Sequence, residues 1–152
     1  MSELDSLYQE LILDHSKHPV GQGLAAADGA FADSHQKNPV CGDEVTLRVR
    51  VHGDEVDDVT WEGHGCSISQ ASASMLSSLV RELRDEDGVV SRAQAAELIS
   101  GFREALRSRG QIPLDEETFG DAAALSGVSK FSARVKCAML AWVALEDALG
   151  RA

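Results

Sequence analysis

Cys41 and Asp43 stand two positions apart in the stretch Asn38-Pro39-Val40-Cys41-Gly42-Asp43. In an extended segment, side chains two positions apart fall on one side. Gly42 lets the backbone turn tightly and removes a side chain that would crowd a bound atom. Pro39 stiffens the approach. A thiolate and a carboxylate aimed at one point can share a metal ion. The chain has two further cysteines, Cys66 and Cys137. Cys66 lies between Gly65 and Ser67, where a strand pattern gives way to a helical one. The first turn of a helix carries free N–H groups and the positive end of the dipole, which favour a thiolate. Cys137 falls inside the last helical pattern, behind Arg134 and Lys136. Three thiols and a carboxylate make four ligands, the number zinc takes in tetrahedral sites. Such anionic ligands need cations nearby, and Arg134 and Lys136 are expected to supply them. The plain alternative for Cys137 is a small buried core residue, and for Cys66 an unligated thiol.

Several elements must position these groups. Leu4, Leu7, Tyr8, Leu11 and Ile12 recur at helical spacing, which predicts a helix over Glu3 to Lys17 with Ser2 as its cap and Asp5 completing the box. His18-Pro19 ends it, and residues 20–29 read as a loop. A short edge strand is expected over Ala30 to Gln36. Val45, Leu47, Val49 and Val51 alternate with polar residues, the period of a strand with one buried face. His52-Gly53-Asp54-Glu55 is a turn, and Val56, Val59 and Trp61 mark the return strand, ending at Gly63-His64-Gly65.

After Cys66, residues Ile68, Ala71, Met75, Leu76, Leu79, Val80 and Leu83 predict a helix of about four or five turns, ended by Asp85-Glu86-Asp87-Gly88. Ser91 to Arg109 is a further helix, capped by Ser91, with a stripe of Ala95, Leu98, Ile99, Phe102 and Leu106. Residues 111–128 are a mixed connector with a short helical piece around 115–124. The last helix is expected from Ser129 to Leu149, burying Ala133, Cys137, Leu140, Ala141, Ala144, Leu145 and Ala148. The fold class is α+β: a small antiparallel sheet of about three strands, packed on one side by helices, in a single domain over residues 1–152.

Composition narrows the partners. The 152 residues are 43% hydrophobic with a formal net charge of −11. A uniformly acidic surface repels nucleic acid and anionic lipid, so neither is expected as a partner. The acidic start, Met1-Ser2-Glu3-Leu4-Asp5, argues against a secretory signal. Three cysteines without a CxxC pair fit the reducing cytoplasm. His15, His18, His35 and His52 are expected in solvent or at caps. His64 is read the same way first, and as a support for the Cys66 ligand second. Trp61 and Trp142 are expected in the core or a groove, and the acids at 85–87 in solvent.

Three motifs in order carry a resemblance. Asn38-Pro39-Val40-Cys41-Gly42-Asp43, then Gly63-His64-Gly65-Cys66-Ser67-Ile68-Ser69 with Ala71-Ser72-Ala73-Ser74-Met75, then Arg134-Val135-Lys136-Cys137 resemble the signatures of the IscU-like iron–sulfur cluster assembly family. The segment Leu7-Tyr8 to Asp14-His15 is similar too. Within the family the chain looks most like the SufU branch. Scaffold members usually carry a histidine directly before the last cysteine, where this chain has Lys136. They also have a shorter path between the second and third cysteines, and the added length here matches the helix at 91–109. The resemblance implies zinc held by Cys41, Asp43, Cys66 and Cys137, with Cys41 accepting sulfur from a SufS-type cysteine desulfurase, for delivery to downstream SUF assembly proteins. The alternative it implies is a scaffold carrying a transient iron–sulfur cluster. A zinc hydrolase is disfavoured: four protein ligands leave no position for a water, and there is no HExxH. A purely structural zinc domain is the last reading, in which Cys41 is never modified.

Overall fold

A computed structural model describes residues 3–39 and 42–152, with side chains described from Ser6 onward. The expected cap at Ser2 and box at Asp5, and Cys41 itself, lie outside what is described. The order is α1 (Glu3–Lys17), β1 (Ala30–Asn38), β2 (Asp43–His52), β3 (Glu55–His64), α2 (Ser67–Asp87), α3 (Arg92–Arg107), the short α4 (Glu116–Phe119), a 3-10 segment (Gly120–Lys130) and α5 (Ser132–Arg151).

The strands form an antiparallel meander in the order β1-β2-β3. Leu47 pairs with Ser34 on one side and Trp61 on the other. Every second residue of β2 from Asp43 to Val51 is buried, so the alternation seen in the sequence is the inner face of the sheet. A bulge near Arg50 and Val51 shifts the register with β3. Arg48 pairs with Asp33 and Arg50 with Asp58 on the outer face. The helices cover the inner face: α5 packs on β1 and β2, while α2 packs on β3 and on α5.

α2 is longer than expected, at 21 residues. The acids at 85–87 are its exposed last turn rather than its stop. Gly88 ends it, with φ of 82° and its N–H on the Arg84 carbonyl at 2.8 Å, the left-handed cap that a residue with a Cβ resists. The helix also buries Ser69, Ser72, Ser74 and Ser77, which an apolar stripe does not announce. Each has a partner: Ser72 Oγ donates to the Ala138 carbonyl (2.6 Å) and accepts from Trp142 Nε1 (3.0 Å), and Ser77 Oγ donates to the Val59 carbonyl (2.7 Å). Satisfied this way, small hydroxyls let neighbouring backbones approach closely at little cost.

α3 starts as expected, with Ser91 Oγ accepting from the Gln94 N–H. Its Phe102 ring stacks on Trp142 of α5 at 3.9 Å between centroids. β1 runs on to Asn38, α3 stops at Arg107 and α5 runs on to Arg151, each two residues from the expected end; the connector and the start of α5 also differ from expectation. The connector is α-helical only over Glu116–Phe119, because Gly120 breaks the helix at φ of 55° and the chain continues in 3-10 turns. α5 starts at Ser132 rather than Ser129, since Phe131 is extended (φ −122°, ψ 96°). Ala133 is therefore in an exposed first turn, not in the core. Because α5 is covered on two sides, Ala138, Met139 and Trp142 are buried beyond the expected stripe.

α1 has the expected bounds, though Leu7 is half exposed. His15 was expected in solvent and is buried. Its ring bridges Ser74 Oγ (2.7 Å) and Asp121 Oδ2 (2.9 Å), tying α1 to α2 and the 3-10 segment. Among the described residues, no helix is long and apolar enough to cross a membrane.

Candidate metal centre

Asp43 opens β2 on the inner face and is fully buried. A buried carboxylate is costly unless hydrogen bonded, and its partner is close: the Cys66 backbone N–H donates to Asp43 Oδ1 at 2.8 Å. Cys66 is the N-cap of α2, with φ of −71° and ψ of 169°. Its N–H is one of the groups a helix start leaves without an internal acceptor, so one bond satisfies both needs. Gly65 makes the approach possible. A Cβ there would stand 2.3 Å from Asp43 Oδ1 and 2.6 Å from Ser69 Oγ. Ser69 Oγ in turn donates to the Cys66 carbonyl at 3.0 Å.

Cys137 lies in the second turn of α5 and is 4% exposed. Its Sγ is 3.7 Å from the Ala133 carbonyl and 4.0 Å from Asn38 Nδ2. A ligand oxygen of Asp43 and the sulfurs of Cys66 and Cys137 lie within 4.8 Å of one another. Around tetrahedral zinc, with bonds of about 2.0–2.3 Å, ligand atoms are roughly 3.5–3.8 Å apart, so the cluster needs only a small contraction. Two thiols and a carboxylate, one thiol exposed and two groups buried, fit zinc in kind and in spacing.

The hairpin that carries Cys41 is closed at its base. Asn38 pairs with Asp43, and the Gly42 N–H donates to the Asn38 carbonyl at 2.8 Å, with Gly42 at φ of 72°. Arg134 and Lys136 are exposed on α5, and the Arg134 guanidinium lies over the Phe131 ring at 5.5 Å. His64 faces solvent on the outer side of the sheet and pairs with Glu44 at 3.3 Å. Hydrogen bonding to His35 holds the Glu44 carboxyl below its ordinary range, with Lys37 and His64 adding to the effect.

Beside the centre, a groove of about 550 Å³ runs between α1 and the start of α5. Among the described residues its lining includes Ile68, Leu13, Phe131, Lys130 and Arg134, and no acid. Leu13 and Phe131 are half exposed. Motif reading missed Asn38 and Ser69 as neighbours of the sulfurs; their only signals were their places three positions from Cys41 and Cys66.

Residues 7–149 match the family described as the NifU-like N terminal domain. The zinc-dependent sulfurtransferase SufU of Bacillus subtilis is 39% identical over 150 residues, which cover 99% of this chain and 94% of that protein. The iron–sulfur cluster assembly scaffold protein IscU of Streptococcus pyogenes is 37% identical, covering 99% and 87%. The crystal structure of a candidate scaffold protein for the SUF system of Fervidobacterium islandicum superposes with a TM-score of 0.71 at 32% identity, covering 95% and 97% of the two chains. An N-terminal NifU-like protein of Brucella abortus, at 22% identity and a TM-score of 0.72, shares the fold. With the sheet, the helical cover and the Asp–Cys–Cys cluster all in place, this chain belongs to the NifU-like N-terminal domain family, alongside the SufU and IscU proteins of iron–sulfur cluster assembly.

Proposed function

We propose that this protein relays sulfur in iron–sulfur cluster biogenesis, taking it from a SufS-type cysteine desulfurase onto Cys41 at a zinc centre. The observation that carries the reading is the convergence of Asp43, Cys66 and Cys137 from three separate elements. Cys41, two positions from Asp43, is within about 7 Å of it along the chain and completes the set of four. Bound zinc supplies divalent charge that keeps the thiols deprotonated. Asp43 and the α2 N-terminus orient Cys66, and α5 fixes Cys137. Arg134 and Lys136 supply positive charge on the same helix turn. The groove beside the centre offers the desulfurase an apolar surface with two cations and, among the described residues, no acid, which suits an acidic-flanked apolar segment.

In the transfer, the Cys41 thiolate attacks the outer sulfur of the donor's persulfide. The donor's S–S bond breaks, its cysteine leaves as a thiolate, and Cys41 holds the persulfide with no net redox change. Downstream SUF assembly proteins are the acceptors.

The test is metal analysis, followed by peptide mass spectrometry after incubation with desulfurase and cysteine. Colourless desalted protein with one zinc per chain, sulfur on Cys41, and loss of desulfurase stimulation in Cys41→Ala are expected. Sulfur only on Cys66 or Cys137 rejects the relay. Iron with visible absorbance selects the scaffold reading, which the name of the Streptococcus pyogenes relative favours and Lys136, in place of histidine, opposes.

A further inference from the structure

Asn38 ends β1 and meets the metal centre with both its backbone and its side chain. Pro39 follows it, which biases Asn38 toward extended backbone, as its place opposite Asp43 in the ladder requires. Its carbonyl accepts the Gly42 N–H at 2.8 Å and so holds the base of the turn that carries Cys41. Its side chain is buried, at 6% exposure, and reaches across to α5, where Nδ2 stands 4.0 Å from Cys137 Sγ. The same sulfur is 3.7 Å from the Ala133 carbonyl, to which a neutral Cys137 thiol donates.

A metal-bound Cys137 has no proton to give. The Ala133 oxygen then faces a thiolate, acceptor against acceptor, and the sulfur needs a donor instead. Thiolates and a carboxylate together also carry more negative charge than one divalent ion neutralises. Arg134 and Lys136 are exposed, so water and salt screen what they can offset. We propose that Asn38 is a positioning residue of the centre, its side-chain amide donating to the Cys137 thiolate, seating that sulfur and drawing charge from it. A thiolate only accepts and an amide oxygen would repel it, so the amide turns its nitrogen to the sulfur. A donor to an ionised acceptor is among the stronger hydrogen bonds, and burial strengthens it further. Such partners orient a ligand and set how strongly it gives electrons to the metal. The inference rests on the thiolate centre and relay described above, in which Cys137 is the ligand that stays while Cys41 carries sulfur. Asn38 serves both roles, its backbone holding the turn of the one and its amide the sulfur of the other.

The test replaces zinc by cobalt in the full chain and reads the sulfur-to-cobalt charge-transfer band, with zinc affinity measured separately by chelator competition. Asn38→Leu keeps the approximate size of the side chain and removes its donors. Sulfur lone pairs that lose a hydrogen bond rise in energy, so the band should move to longer wavelength, and zinc affinity should fall by roughly 10–100-fold. Asn38→Ala, which adds no bulk, should move the band the same way. Ser34→Ala is the control: Ser34 is buried on the same face of β1, but its Oγ donates to Asp147 Oδ2 at 2.7 Å, away from the sulfurs. It should cost some stability and leave the band in place. A band that stays put in both Asn38 variants, or moves equally in Ser34→Ala, overturns the proposal. Loss of all cobalt binding in both Asn38 variants overturns it too, since Asn38 would then build the site rather than tune its sulfur. No desulfurase is present, so any of these results leaves sulfur relay standing, whereas a wild type that binds no cobalt or zinc removes the centre itself.

Discussion

The backbone N–H of Cys66 donates to Asp43 Oδ1 at 2.8 Å. This bond joins the first residue of β2 to the residue that caps α2, and both are candidate zinc ligands. The sheet and the helix layer thus meet at the centre itself, so what disturbs the centre also disturbs their junction.

Gly65→Ala tests that contact. The added Cβ would stand 2.3 Å from Asp43 Oδ1, so the carboxylate or the start of α2 must shift. Zinc affinity should fall by roughly 10–100-fold, the range seen when groups supporting a ligand are altered. Chelator competition measures it. Unchanged affinity would show that the carboxylate need not sit where it does.

Removing a ligand should cost fold stability as well as metal. Cys66→Ala and Cys137→Ala should each lose zinc and lower the melting temperature, at roughly 2–4 °C per kcal/mol for a chain of this length. Adding chelator to the wild type should reproduce most of the drop. Identical melting with and without chelator would remove zinc from the list of forces that hold the three elements together.

Much of this arrangement was legible beforehand. The valine and leucine alternation of β2 leaves no other period, and of the side chains the cysteine motifs singled out, Asp43, Cys66 and Cys137 lie together, while Cys41 lies outside the described residues. What stayed hidden depends on contacts between distant residues. His15 lies one turn beyond Leu11 and Ile12, on the same stripe, but nothing local shows that Ser74 and Asp121 arrive to satisfy its ring. The serines of α2 read as polar, yet they are buried because Ala138, Trp142 and Val59 supply their partners. The 3-10 run after Gly120 is rich in alanine and looks α-helical; the positive φ of one glycine and the packing of Ala122 to Leu125 decide otherwise. The reason for glycine at 65 needed the position of a carboxylate 22 residues earlier.

α3 should stand apart from the chemistry. Arg103 makes a two-pronged pair with Glu146 of α5, at 2.7 and 3.0 Å, and Arg107 is exposed. Arg103→Ala with Arg107→Ala should leave zinc content intact and cost only about 0.2–1 kcal/mol, the worth of a surface pair. The Arg103 hydrogen bonds hold the Glu146 carboxyl below its ordinary value, against a smaller opposing effect of burial. A lowered carboxyl value in the folded state gives stability that is present above the unfolded value and is lost as pH falls through the folded one. The difference in melting temperature between variant and wild type should therefore be present near neutrality and vanish in acid. Loss of zinc in the variant would bring α3 to the centre after all.

Tyr8 gives the opposite pH signature. It is the chain's one tyrosine, and its hydroxyl donates to Glu116 Oε1 at 2.7 Å, pinning α1 to α4 along the groove. That bond to a carboxylate, then burial, then the Glu116 charge push the phenol up to about 12. A raised value in the folded state means that the pair's contribution is complete below the unfolded value of 10.0 and is lost as pH rises through about 12. Tyrosinate absorbance should report this residue alone, with circular dichroism confirming that helices persist through the titration. Glu116→Gln keeps an acceptor but removes the charge, so its midpoint should move down toward the ordinary phenol value. A wild-type midpoint already at that value, with helix content intact, would show that Tyr8 does not hold Glu116 in solution and that α1 is secured by His15 and its apolar contacts instead.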